Sequence, residues 1–159
     1  MKAKDIMTAA PCCCSPNDSV QDVARMMRDN DCGAVPIVDN GGVVGIVTDR
    51  DLTVRALAEL MESDARVGDF ITANPCCGSA EDDVRDIETL MADHQARCVP
   101  IVDADGCCVG IVAQADLTRA ARNGERVSEH EVAIVVERIS EPTRQSFDRS
   151  ATGAREQTF

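Results

Sequence analysis

Near position 50 three residues stand together that can hold a phosphorylated sugar: Thr48, Arg50 and Asp51, with Asp49 between them. They follow the apolar run Gly45-Ile46-Val47 and precede Leu52, which predicts a strand turning directly into a helix. A helix start presents unpaired backbone N–H groups and a partial positive charge, and both suit phosphate. Thr48 adds a hydroxyl. Arg50 adds a guanidinium able to grip phosphate at two points. Asp51 adds a carboxylate of the kind that accepts from ribose hydroxyls. Upstream, Cys32-Gly33-Ala34-Val35-Pro36 begins with small residues, which let a flat base lie against backbone. The same turn also fits an ordinary helix start. Thr48 or Asp49 can be its N-cap and Asp51 a first-turn carboxylate favoured by the helix dipole.

The elements that position this turn occur twice. Asp5-Ile6-Met7-Thr8 lies over Asp69-Phe70-Ile71-Thr72 at a spacing of 64, and Val35-Pro36-Ile37-Val38-Asp39 lies over Val99-Pro100-Ile101-Val102-Asp103 at the same spacing. One residue is then inserted, and Gly45-Ile46-Val47 and Asp51-Leu52-Thr53 meet Gly110-Ile111-Val112 and Asp116-Leu117-Thr118 at 65. Such self-similarity marks a repeated structural unit.

Each unit reads β-α-β-β-α. In the first copy Asp18 is the expected N-cap, with Gln21 three residues on. Val20, Val23, Ala24 and Met27 then form one apolar stripe. Gly33 is the expected left-handed residue after the helix. Residues 35–38 and 43–47 flank Asp39-Asn40-Gly41-Gly42 and predict a hairpin of strands covered on both faces. A second helix runs from residues 49–51 through Leu52, Ala56, Leu57 and Leu60, and its counterpart runs from Asp116 to before Asn123-Gly124. One unit cannot cover its own sheet, whereas two can pack sheet to sheet with helices outside, leaving clefts between them. The expected fold is thus α/β (α+β), with repeats at 1–64 and 65–124. Ser128-x-x-Glu131 resembles a capping box, and Val132, Val135, Val136 and Ile139 give an amphipathic helix within 125–141, closed by Pro142. The polar segment 142–159 reads as disordered.

Composition narrows the function. Aromatics are 2% of the 159 residues and the formal net charge is −12, so stacking platforms and basic stripes are lacking and free nucleic acid is an unexpected partner. No run approaches the roughly 20 apolar residues of a membrane span. Residues 1–7 carry Lys2, Lys4 and Asp5 without an apolar stretch, so a secretory signal is not expected and a cytoplasmic location is. The nine cysteines are odd in number and include no C-x-x-C, and adjacent ones within a strand point to opposite faces. They read as small apolar fillers, with no metal site expected.

The doubled unit, with Val-Pro-Ile-Val-Asp followed by Gly-Ile-Val-Thr-Asp-Arg-Asp-Leu, resembles a pair of CBS (cystathionine-β-synthase) domains, or Bateman module, over roughly residues 1–122. The resemblance implies two repeats packed into a disc with pseudo-two-fold symmetry, stand-alone as in bacterial proteins of this kind. It implies adenosine ligands, chiefly AMP, ADP or ATP and less often S-adenosylmethionine or NAD, with no required cofactor. It also implies a homodimer regulating an as yet unknown protein. Carried onto this chain, its ligand motif falls on Gly33, Ala34, Val35 and Pro36, then on Gly45, Thr48, Arg50 and Asp51, with the base near Ala10, Pro11 and Ala34. In the second copy Asp116 remains, but Ala113 stands at the Thr48 position, Ala115 at the Arg50 position and Arg97 at the Gly33 position. One good site and one weakened site are therefore expected, with Arg97, Arg119 or Arg122 as possible phosphate contacts in the second.

No catalytic domain is left over once the repeats are assigned. The two histidines, His94 and His130, belong to no nucleophile or metal motif, so no catalytic residue and no enzyme activity are expected. The alternative is a thiol- or metal-responsive sensor built on the doubled cysteines at 12–13 and 76–77, which occupy matching positions.

Overall fold

A computed structural model describes residues 1–122 and 128–141. The expected stops at Asn123-Gly124 and Pro142, the side chain of Glu131 and the polar tail lie outside the described residues. The elements are α1 (Ala3–Ile6), β1 (Thr8–Ala9), α2 (Val20–Asp29), β2 (Ala34–Asp39), β3 (Gly42–Thr48), α3 (Asp49–Asp51), β4 (Thr72–Ala73), β5 (Gly78–Ser79), α4 (Val84–His94), β6 (Cys98–Val102), β7 (Cys108–Ala113), α5 (Gln114–Arg122) and α6 (Glu129–Ser140).

Both hairpins form where the β-branched runs require them. In the first, β2 and β3 pair antiparallel from Ala34↔Thr48 to Asp39↔Gly42. The two-residue turn has Asn40 at φ 47° and Gly41 at φ 87°, the two positive φ values that a type I′ hairpin demands of Asn-Gly. In the second, β6 pairs with β7 around a longer loop. There the Asp103 carboxylate accepts from the backbone N–H of Asp105 and Cys107 at 3.0 and 2.9 Å. The register slips at Ile37/Val38 in one hairpin and at Ile101/Val102 in the other, so the duplication extends to the irregularity.

The opening strands do not stay in their own repeats. β1 pairs with β7, giving a sheet of order β1-β7-β6-β5, and β4 pairs with β3, giving β2-β3-β4. The flanking chain follows. Ala3 N–H donates to Asp82 O at 2.9 Å and Lys4 N–H to Ala80 O at 3.1 Å, while Val67 N–H donates to Asp18 O and Gly68 N–H to Pro16 O, both at 2.9 Å. Ala3 is fully buried in the core around Ile87, Met91, Ile101 and Leu117, and Val67 in the core around Val23, Val35, Ile37 and Val47. Gly45 and Gly110 admit these crossings: a Cβ on Gly45 would meet Ile71 and the Thr72 carbonyl, and one on Gly110 would meet the Met7 side chain.

Several local expectations need correction. Helix α2 is capped by Ser19, whose Oγ accepts from Asp22 N–H at 3.0 Å. Asp18 is engaged instead with Ser15 N–H at 2.8 Å, which ties the preceding turn. Val23 and Met27 are buried, but Ala24 is exposed, so the stripe is narrower than expected. The left-handed residue after α2 is Asp31, at φ 49°, with Gln95 at φ 50° its counterpart after α4, and Gly33 has no positive φ. The second helix opens as α3 and widens into a π-helical stretch at Leu52–Leu57. It ends at Leu57, short of the expected Leu60, which lies in the following turn at φ 55°; Leu57 is 70% and Leu60 88% exposed. In the second half α6 packs on α4 and α5 and buries Val132, Val135 and Ile139.

Candidate functional site

The first strand-to-helix turn is built by reciprocal hydrogen bonds. Thr48 Oγ1 accepts from Asp51 N–H at 3.2 Å, and Asp51 Oδ2 accepts from Thr48 N–H at 3.0 Å and from its hydroxyl at 2.8 Å. This capping box is the ordinary helix-start role of the pair. It also fixes the carboxylate: Oδ2 is saturated, while Oδ1 faces Arg55 Nε at 3.4 Å. The Asp51 side chain is 15% exposed. Next to it the Arg50 side chain is exposed and makes no hydrogen bond or ion pair among the described residues.

Gly33 is joined to this turn through its carbonyl, which accepts from Asp49 N–H at 3.0 Å. A Cβ at Gly33 would stand 3.2 Å from Oδ2 of the exposed Asp49 side chain. Ala34 is half-buried, at the start of β2 opposite Thr48. Val35 is buried in the first core and Pro36, next along β2, is buried too, so the side chain of neither is exposed to a ligand. Ala10 and Pro11 leave β1 from the edge of the other sheet, Ala10 at φ 46° with its N–H donating to Val109 O at 3.0 Å. They join the first turn through the next residue, because Cys12 Sγ lies 3.7 Å from Cys32 Sγ. The segment after Ala10 and Pro11 thus approaches the segment before Gly33 and Ala34 at this one pair of thiols.

The second turn keeps the frame with fewer polar groups. Gln114 N–H donates to Arg97 O at 2.9 Å, as Asp49 does to Gly33. Asp116 Oδ2 accepts from Ala113 N–H at 2.7 Å, and Oδ1 faces Arg119 Nη2 at 3.3 Å. Asp116 is 8% exposed, deeper than its counterpart. Arg119 is thus committed to its own helix, since its Nε–H also donates to Ala115 O at 3.3 Å, and is not held out as a phosphate contact. At the start of β6, burial first, then the charges of Asp116 and Asp49, push the Cys98 thiol up to about 11.

Two features escaped sequence reasoning. Arg55 reaches Asp51 across one helical turn, a spacing visible in the sequence. The approach of Cys12 to Cys32 had no local signal, because it depends on how the crossed opening segment lies. Among the described residues no group of three or more His, Cys, Asp or Glu is placed to hold a metal ion, and no helix is long and apolar enough to cross a membrane.

A family model for the CBS domain matches residues 3–63 and 67–123. Hypoxic response protein 1 of Mycobacterium tuberculosis is 30% identical over 142 residues, 88% of this chain and 94% of that protein. A crystal structure of Hypoxic Response Protein I with two coordinated zinc ions aligns at a TM-score of 0.68 and 31% identity, over 75% of this chain and 98% of that one. The CBS domain pair of protein MJ0100, in complex with 5′-methylthioadenosine and S-adenosyl-L-methionine, aligns at 0.72 and 27% identity, over 79% and 98%. CBSX2 of Arabidopsis thaliana in complex with AMP aligns at 0.68 and 28% identity, over 79% and 98%.

Proposed function

The chain belongs to the CBS domain family, and from that premise we propose that it is a regulatory module binding one adenine nucleotide, of the AMP, ADP or ATP type, at its first strand-to-helix turn. The observation that carries this reading is the contrast inside that turn: Asp51 is locked by Thr48 through one oxygen, and the adjacent Arg50 guanidinium is exposed. In this reading Asp51 Oδ1 accepts from the ribose hydroxyls, with Arg55 giving way or bridging. Thr48 accepts at its hydroxyl. Arg50 meets the phosphate, because the N–H groups of Thr48, Asp49, Arg50 and Asp51, expected to be unpaired, are all donated within the fold. Gly33, Ala34, Ala10 and Pro11 supply a flat wall for the base, with the Val35 and Pro36 backbone beneath. The ligand-bound relatives MJ0100 and CBSX2 support the adenosine class.

We assign the module no catalytic step. Its output passes through contacts, because ligand binding shifts only arrangements whose affinities differ. The contact we assign is a homodimer through the face carrying Val54, Leu57 and Leu60, which are 38%, 70% and 88% exposed. The repeats are set at 1–64 and 65–124 and the C-terminal helix within 125–141, and the setting is cytoplasmic.

Calorimetric titration with AMP, ADP, ATP, NAD and S-adenosylmethionine tests the reading. One ligand per chain from the adenosine series is expected. Absence of heat from all five, with a thermal midpoint unmoved by any, would remove it.

A further inference from the structure

The nine thiols are free, and they are not evenly scattered. Cys12 Sγ and Cys32 Sγ lie 3.7 Å apart although 20 positions separate them in the chain. Both residues are half-buried, so a small oxidant can reach them. The neighbouring Cys13 turns away: its thiol donates to Pro11 O at 3.5 Å and abuts Cys108. Cys14 is 5% exposed and sits in the first core. Cys12 directly follows Ala10-Pro11 and Cys32 directly precedes Gly33-Ala34, so this thiol pair joins the segment after β1 to the segment before β2.

We propose that Cys12 and Cys32 are a site of reversible oxidation, forming a disulfide across the mouth of the first turn under peroxide. The chemistry balances with hydrogen peroxide as the oxidant. The Cys12 thiolate attacks one peroxide oxygen, the O–O bond breaks and hydroxide leaves, giving a sulfenic acid. The Cys32 sulfur then attacks the Cys12 sulfur, the S–O bond breaks, and the Cys32 proton leaves with the oxygen as water. Two thiols and one peroxide become one disulfide and two waters, and two electrons pass from the sulfurs to the peroxide oxygens. Cys32 is the resolving partner. Burial first, and then the hydrogen bond to Cys12, push its thiol up to about 11, so it stays protonated at neutral pH. Closing from 3.7 Å to a bond of about 2.0 Å asks for rotation of two half-exposed side chains. The bond would draw the Pro11 side of the wall toward Gly33 and narrow the space between them. That consequence rests on the adenosine reading above, whereas the bond itself does not.

The test uses full-length reduced protein treated with hydrogen peroxide, then thiol counting and tandem mass spectrometry of non-reduced peptides. The expected result is a fall from nine thiols to seven, a dominant Cys12–Cys32 linkage, and full recovery with dithiothreitol. Cys32→Ser should abolish the linkage and leave Cys12 labelled by dimedone as the sulfenic acid, and Cys13→Ser should leave the linkage in place. A dominant Cys13–Cys108 or Cys32–Cys98 linkage, or nine unreacted thiols, would overturn the site. AMP titration of the reduced and oxidised forms then separates the two claims. At least a tenfold difference in affinity is expected. Linkage with unchanged AMP affinity overturns the narrowing, and absence of AMP binding in both forms overturns the adenosine reading while the oxidation site stands.

Discussion

At the first turn a threonine hydroxyl, an exposed arginine and a carboxylate stand on a frame whose opposite wall is glycine and alanine. At the second, the same backbone hydrogen bonds are drawn, down to the link from Gln114 N–H to Arg97 O, but the hydroxyl and guanidinium positions are Ala113 and Ala115. The helices behind the turns differ in the opposite sense. The second half is covered by α6 over Val132, Val135 and Ile139, whereas the first widens into a π-helical stretch and leaves Leu57 and Leu60 exposed. Duplication thus fixed the scaffold twice, and the side chains then diverged so that polar chemistry lies on one half and apolar cover on the other.

The largest expected effect concerns the cover. Val135→Asp places a charge in the second core and should cost about 3–5 kcal/mol in denaturant melts. Leu57→Asp on the exposed face should stay within about 0.5 kcal/mol while shifting the species seen by light scattering toward monomer. Equal destabilisation by both would erase the asymmetry. Next comes the pair of carboxylates. Asp51→Ala should weaken nucleotide binding by about 2 kcal/mol, or roughly thirtyfold, in calorimetry. Asp116→Ala should leave affinity within about threefold yet lower the thermal midpoint, because that more deeply buried carboxylate caps its helix. A smaller effect belongs to Arg50→Ala, which should cost about 1 kcal/mol against AMP and nothing measurable against adenosine. Grafting Ala113→Thr with Ala115→Arg should raise the binding stoichiometry above one, with the second site the weaker.

The thiols give a pH test that spans both halves. Burial pushes Cys13 up to about 12 and Cys32 and Cys98 up to about 11, from an ordinary value of 9.0. Between pH 9 and 11 the unfolded chain therefore releases protons that the folded chain keeps. Stability should be unaffected by these groups below pH 9 and should fall as pH rises through 11. A thermal midpoint that is flat or rising over that range would contradict their burial.

Much of this architecture was legible. The spacing of 64 and then 65, the Asn40-Gly41 turn and the paired Val-Pro-Ile-Val runs predict both hairpins, because type I′ turns and β-branched runs are local signals. The Thr48–Asp51 box was legible as two readings at once, and the hydrogen bonds realise the capping one without using Asp51 Oδ1. What was not legible depends on competition or distance. Asp18 and Ser19 can both cap a helix, and Ser19 does so because Asp18 already holds the Ser15 N–H. The partners of β1 and β4 could not be read from two-residue strands, which carry no periodicity. The Cys12–Cys32 approach depends on that same crossing.

The crossing has a further consequence for how the molecule comes apart. Each repeat lends its first strand to its neighbour's sheet, so a cut near residue 64 would strip an edge from both. A lone copy, expressed by itself, should therefore be poorly folded or should recruit a second copy to stand in for the missing loan. Heating should melt the two together in one transition, not one after the other.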